Sequence, residues 1–143
     1  MSQSTLPTYD ADQLAGLLAT LPGVDGVELK LTVPRADQRT VARNLGIDSI
    51  DARIRQVAFI DTLDLRASAA GVVVRARRTQ NKPGDVTVKL RPMLPSDVPA
   101  GLREVPGFKI EVDASPVGYT CSCSVTAEVF DKKGKQLLAG ERE

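Results

Sequence analysis

Charged side chains spaced two apart hold most of the chemistry in this sequence. Arg75 and Arg77 alternate with Val74 and Ala76, and Lys89 and Arg91 with Val88 and Leu90. Glu28 and Lys30 alternate with Val27, Leu29 and Leu31, while Lys109, Glu111 and Asp113 alternate with Ile110 and Val112. A last run, 120–129, offers Ser122, Ser124, Thr126 and Glu128 at its polar positions. Residues two apart share one face of a β-strand, so each run sets ionic or hydroxyl groups against an apolar side. Cations gathered on such a face suit phosphate oxygens, because charge-assisted hydrogen bonds are about twice as strong as neutral ones. Glu28, Glu111 and Asp113 converge with them if the sheet curls, and would then hold a metal that bridges those oxygens. Two plainer accounts fit the same pattern: a sheet with one solvated face, and surface ion pairing.

The hairpin about the 80–84 turn bears on that choice. A roughly symmetric hairpin puts Arg75 across from Lys89 and diagonal to Arg91. Like charges directly opposite cost about 0.2–1 kcal/mol per pair, a cost that a polyanion lying among them removes.

Composition narrows the chemistry further. The chain has 143 residues, 42% hydrophobic and 26% charged, with a net charge of +1. That describes a single globular domain over residues 1–143. The near-neutral charge and an aromatic content of 3% argue against nucleic-acid binding. There is no histidine, which removes His-based nucleophile systems and His-ligated zinc. A metal must then rest on carboxylates, which favours Mg²⁺ or Mn²⁺. Cys121 and Cys123 share a strand face about 7 Å apart, a poor geometry for a disulfide, and read as small buried residues in a reducing compartment. With no signal peptide and no apolar run of bilayer length, the expectation is a cytoplasmic protein with no membrane contact.

The elements that must position these groups follow from periodicity. Leu14, Leu17, Leu18 and Leu21 predict a helix, with Thr8 or Asp10 as cap and Pro22-Gly23 as stop. Residues 27–33 alternate as a strand, and 35–45 predict a second helix closed by Gly46. Further strands are expected over 55–61, 72–79, 85–91, 108–113 and 120–129, with a short turn or helix over 62–70. The 92–106 stretch reads as loop, and the tail from Asp131 is weakly patterned. About six short-linked strands and two or three helices predict an α+β fold with a largely antiparallel sheet.

These residues resemble a known family. Val27-Glu28-Leu29-Lys30-Leu31 is similar to the Glu-x-Glu-x-Lys motif of CYTH domains, the triphosphate-tunnel metalloenzymes. Phe59-Ile60-Asp61-Thr62-Leu63-Asp64-Leu65, then Ala70-Gly71-Val72-Val73-Val74-Arg75-Ala76-Arg77, resembles the family's central motif. Val86-Thr87-Val88-Lys89-Leu90-Arg91 and Lys109-Ile110-Glu111-Val112-Asp113 resemble its later basic and acidic strands. The resemblance implies a closed antiparallel β-barrel with a charged interior and helices packed outside. It implies phosphate contacts from Lys30, Arg75, Arg77, Lys89 and Arg91, and Mg²⁺ or Mn²⁺ ligation by Glu28, Glu111 and Asp113. Lys30 and Glu28 would serve hydrolysis of tripolyphosphate or an organic triphosphate, with catalysis by positioning and charge neutralisation.

The chain departs from that pattern in two places. Gly26 occupies the position of the leading glutamate, and Asp25 has the wrong parity to replace it. Six strands are also fewer than the tunnel needs: the chain is a fragment, a short open barrel, or one half of a homodimer that completes the tunnel. The alternative function is a non-catalytic module that binds polyphosphate or a nucleoside triphosphate.

Overall fold

The computed structural model describes residues 9–48, 50 and 52–129. It is an α+β structure whose centre is one six-stranded sheet. The strands are β1 (Gly26–Leu29), β2 (Arg55–Ile60), β3 (Val72–Thr79), β4 (Gly84–Leu90), β5 (Phe108–Ser115) and β6 (Gly118–Val129). Their order across the sheet is β1-β5-β6-β4-β3-β2. Four ladders are antiparallel, and β1 runs parallel to β5. Among the described residues β1 and β2 are unpaired edges, so the sheet is open where the resemblance implied a closed barrel.

Short helices join or cover the strands. Helix α1 (Ala11–Thr20) starts at a capping box, in which the Asp10 carboxylate accepts from the Gln13 N–H at 2.7 Å and Gln13 accepts from the Asp10 N–H at 3.1 Å. It passes into a 3₁₀ turn, Leu21–Gly23. Helix α2 (Gln38–Asn44) is shorter than the 35–45 pattern, and strand β1 ends four residues before the alternation at 27–33 does. The 92–106 stretch is more ordered than its irregular sequence suggests. It contains a 3₁₀ turn, Pro95–Asp97, and helix α4 (Ala100–Arg103). Helix α3 (Arg66–Ala69) lies in the expected 62–70 connection. The tail from Asp131 lies outside the described residues. Among those residues no helix is long and apolar enough to cross a membrane.

The core lies on the apolar face of β5 and β6. Ile110, Val112, Ala114, Cys121 and Cys123 are buried there with Val98. Leu17 from α1, Leu102 from α4, and Val24, Met93 and Tyr119 pack around them. Both cysteines are unpaired, and burial pushes both thiols up from their ordinary range, so they behave as apolar packing groups. Backbone constraints fix this layer at its margins. Gly107 has φ +80°, and a Cβ there would collide with the Thr126 carbonyl. Asp25 anchors β1: its carboxylate accepts from the Ile110 N–H at 2.7 Å, while its own N–H donates to the Ile110 carbonyl at 2.8 Å.

Ile110 is fully buried at the middle of this layer. Ile110→Ala is expected to cost about 2–5 kcal/mol through lost burial and the cavity left behind, measured by urea denaturation. A loss below about 1 kcal/mol would show that this layer is not the main core.

Candidate functional site

Directly opposed residues in neighbouring strands share a face, so the registers show which side chains meet. β1 sets Gly26 beside Glu111 and Glu28 beside Asp113 on β5. β5 and β6 pair Lys109 with Ser124, Glu111 with Ser122 and Asp113 with Thr120. β6 and β4 pair Ser124 with Lys89, Thr126 with Thr87 and Glu128 with Asp85. β4 and β3 pair Thr87 with Arg75 and Asp85 with Arg77. Lys30 follows β1 in step, its N–H donating to the Ala114 carbonyl at 2.8 Å. Glu28, Lys30, Arg75, Arg77, Lys89, Arg91, Glu111 and Asp113 therefore lie along one continuous polar face, opposite the core.

Two carboxylates, the buried Asp113 and the half-buried Asp85, divide the cations between them. The Asp113 side chain is only 3% exposed, and its Oδ2 lies 3.0 Å from Lys30 Nζ, 3.7 Å from Arg91 Nη1 and 3.8 Å from Lys89 Nζ. Burial raises the Asp113 pKa. The hydrogen-bonding Lys30 and the charges of Lys89, Lys30 and Arg91 outweigh that, and the net effect holds it below the usual carboxylate range. Lys30 Nζ lies at 3.0 Å, yet neither Asp113 oxygen has a well-angled hydrogen bond. Towards the other end of the face, Asp85 Oδ2 accepts from Arg77 Nε at 2.9 Å, and Oδ1 lies 4.0 Å from Arg75 Nη2. Arg75 Nη2 donates to Thr87 Oγ1 at 3.2 Å, which shares a 2.9 Å hydrogen bond with Thr126 Oγ1.

Several buried polar atoms on this face lack a well-angled partner: Arg75 Nε, Asp85 Oδ1, both Asp113 oxygens and Ser122 Oγ. Buried polar groups are normally satisfied, so their concentration here marks a surface suited to a polar ligand. A cavity of about 330 Å³ opens at the Asp113 end, lined by Lys30, Arg91, Asp113, Ser115 and Thr120 among others.

The hairpin register corrects one expectation. Arg75 faces Thr87, and Lys89 faces Val73. The pairing is displaced by two residues from the symmetric hairpin, which preserves the face and changes the partners. Arg77 thus meets an opposite charge, Asp85, and the expected cross-strand repulsion between cations does not arise. Asp85 was missed as a site residue, although its alternation with Thr87, Lys89 and Arg91 was visible in the sequence. The aspartates in the 59–65 segment have a local role. Asp61 accepts from the N–H groups of Thr62, Ala67 and Ser68 at 2.7, 2.9 and 2.9 Å, holding the start of α3. The Ser68 N–H is the strongest cause keeping the Asp61 carboxyl below its ordinary range. Asp64 pairs with Arg66 at 2.7 Å.

The implied metal site can be tested against these donors. Among the described residues no three Asp, Glu or Cys side chains gather into a group that could hold a metal ion. Glu28 and Asp113 are lateral neighbours, but Lys30 Nζ lies 3.7 Å from Glu28 Oε2 and 3.0 Å from Asp113 Oδ2. A cation of the chain itself already lies close to both carboxylates. Asp25 is engaged with the β5 backbone. This donor arrangement does not fit a resident Mg²⁺ or Mn²⁺, and no chemical step is derived through one. Comparison with protein-family models, curated proteins and solved structures found no match.

Two predictions follow from this geometry. Asp113→Asn is expected to lower stability at pH 7 by about 1–3 kcal/mol, limited by the solvent access of its cation partners. Because the folded pKa of Asp113 is depressed, its contribution is complete above about pH 4 and disappears as pH falls through the folded value. Urea melts at pH 7 and pH 3 should therefore show a gap between parent and variant that narrows in acid. The second concerns Gly26, whose added Cβ would have no neighbour within 4 Å. Gly26→Glu should fold normally and add a carboxylate beside Glu111; Mn²⁺ binding by the parent in calorimetry would refute the account of the donor set.

Proposed function

We propose that this chain binds a triphosphate-bearing small molecule on the polar face of its sheet, and that the described residues bind without hydrolysing it. Lys30, Arg75, Arg77, Lys89 and Arg91 contact phosphate oxygens, and the hydroxyls of Thr87, Ser122, Ser124 and Thr126 line the floor between them. The observation that carries this reading is the convergence of those five cations on one face, over buried polar atoms that include an unpartnered Arg75 Nε. A polyanion would satisfy that donor and relieve the mutual repulsion of Lys30, Lys89 and Arg91 around a single carboxylate. The poor fit of the carboxylates to a metal favours binding over metal-dependent hydrolysis. Closing the face into a tunnel would require a partner across β1 and β2, a role this reading gives to a second copy of the chain.

Calorimetry with tripolyphosphate, run with and without Mg²⁺ alongside a phosphate-release assay, tests the proposal. The expected result is binding without turnover, weakened by raised salt as the screening length falls from about 10 Å at 0.1 M to about 3 Å at 1 M. Lys89, 23% exposed on a central strand, is the most informative position. Lys89→Ala should weaken binding about tenfold or more, the loss of one charge-assisted contact of about 1.5–3 kcal/mol. Undiminished affinity in that variant would reject the site, and Mg²⁺-dependent phosphate release would reject the non-hydrolytic reading.

A further inference from the structure

The opposite end of the polar face holds a second cavity, of about 290 Å³. Arg53, Arg55, Arg77 and Lys82 supply four cations to its lining, and Asp85 and Glu128 two carboxylates. The balance is four minus two, a net charge of +2. Asp85 is engaged by Arg77 at 2.9 Å. None of the ion pairs among the described residues involves Arg53, Arg55 or Lys82. Among the described residues, three cations thus line this space with Glu128 as the one carboxylate not already engaged.

Backbone contacts hold the pocket's two walls together. The Gln80 N–H donates to the Ile54 carbonyl at 2.9 Å, and the Ile54 N–H to Gln80 Oε1 at 3.4 Å. These contacts tie the segment carrying Arg53 and Arg55 to the β3–β4 turn. Within that turn Asn81 has φ +59°, and the Lys82 N–H donates to the Thr79 carbonyl at 3.0 Å. Arg55 lies opposite Thr79 across β2 and β3. The cations therefore come from segments fixed to each other, and the Thr79 and Thr126 side chains add hydroxyl lining.

We propose that this pocket is a second oxyanion site for a compact phosphate anion such as pyrophosphate, centred on Arg53, Arg55 and Lys82 and sharing Arg77 and Thr126 with the triphosphate face. Six residues of β4 and its extension separate Asp85 from Arg91, about 20 Å at strand rise, so one pyrophosphate ion cannot engage both ends. Guanidinium groups match phosphate oxygens in a bidentate fork, and Arg53 and Arg55 provide two of them. The proposal goes beyond the triphosphate reading, in which Arg53, Arg55 and Lys82 take no part. Glu128 is the unfavourable member of the pocket and sets the limit on affinity.

The test is an amide NMR titration of the full chain with inorganic pyrophosphate, without added metal. Amides of residues 79–82, 84–85 and 126–128 are expected to shift in a saturable manner. The double variant Arg55→Gln/Lys82→Gln should weaken that response tenfold or more, and Glu128→Gln should tighten it severalfold. A merely structural role for these exposed groups would not produce changes of opposite sign. Absence of saturable shifts at 79–82 and 84–85, or shifts that persist unchanged in the double variant, would overturn the proposal. Shifts confined to this end would support it whatever the outcome of the tripolyphosphate calorimetry with Lys89→Ala, so the two readings can fail separately.

Discussion

Side chains of a strand alternate between two faces, so the register of each ladder decides whether ionic groups reach the polar side or the core. A one-residue slip between β4 and β6 would bring Lys89 into line with Cys123 or Val125 in place of Ser124, and so mix ionic and core positions. The five ladders keep a common parity, and the rest of the molecule depends on this. The fully buried Ile110 and Val112 and the ion-paired Asp113 are close neighbours on β5, yet belong to environments of opposite polarity.

The apolar side makes that register costly to change. Ile110, Val112, Cys121 and Cys123 are almost entirely shielded, and the segments before β1 and β5 fold over them. Asp25 contributes at the same place, spending its carboxylate on the Ile110 N–H and so locking the parallel β1 against β5. That lock sets Glu28 beside Asp113 and brings Lys30 within 3.0 Å of it. A backbone anchor on one strand thus determines an electrostatic arrangement on the next.

On the polar side, two aspartates, one buried and one half-buried, organise the cations. Asp113 gathers Lys30, Lys89 and Arg91, while Asp85 takes Arg77 and approaches Arg75. Each carboxylate lowers the repulsion among its cations and keeps them oriented in the absence of a ligand, and each would compete with an arriving anion for the same charges. Affinity on such a face is a balance between pre-organisation and internal competition. The neighbouring carboxylates Glu28 and Asp113 are likewise already engaged, since Lys30 lies within 4 Å of both.

The local alternation of polar and apolar residues was enough to place all six strands, the α+β class and the polar face, since period-two patterning is carried by neighbouring residues. The first helix was legible from its leucine spacing, with Asp10 one of two candidate caps, and so was the buried state of the two cysteines. The order of the strands was not, nor was the parallel pairing of β1, because both depend on contacts between residues some 85 positions apart, such as Asp25 and Ile110. The symmetric hairpin placed the cations on the correct face but gave Arg75 the wrong partner; only the folded register set Thr87 opposite Arg75 and Asp85 opposite Arg77. Nor could spacing alone reveal that Lys30 stands between Glu28 and Asp113, or that Arg53, Arg55 and Lys82 meet at the far end of the sheet. Charge type is written residue by residue, whereas the distance between charges on separate strands exists only after the chain has closed its long loops.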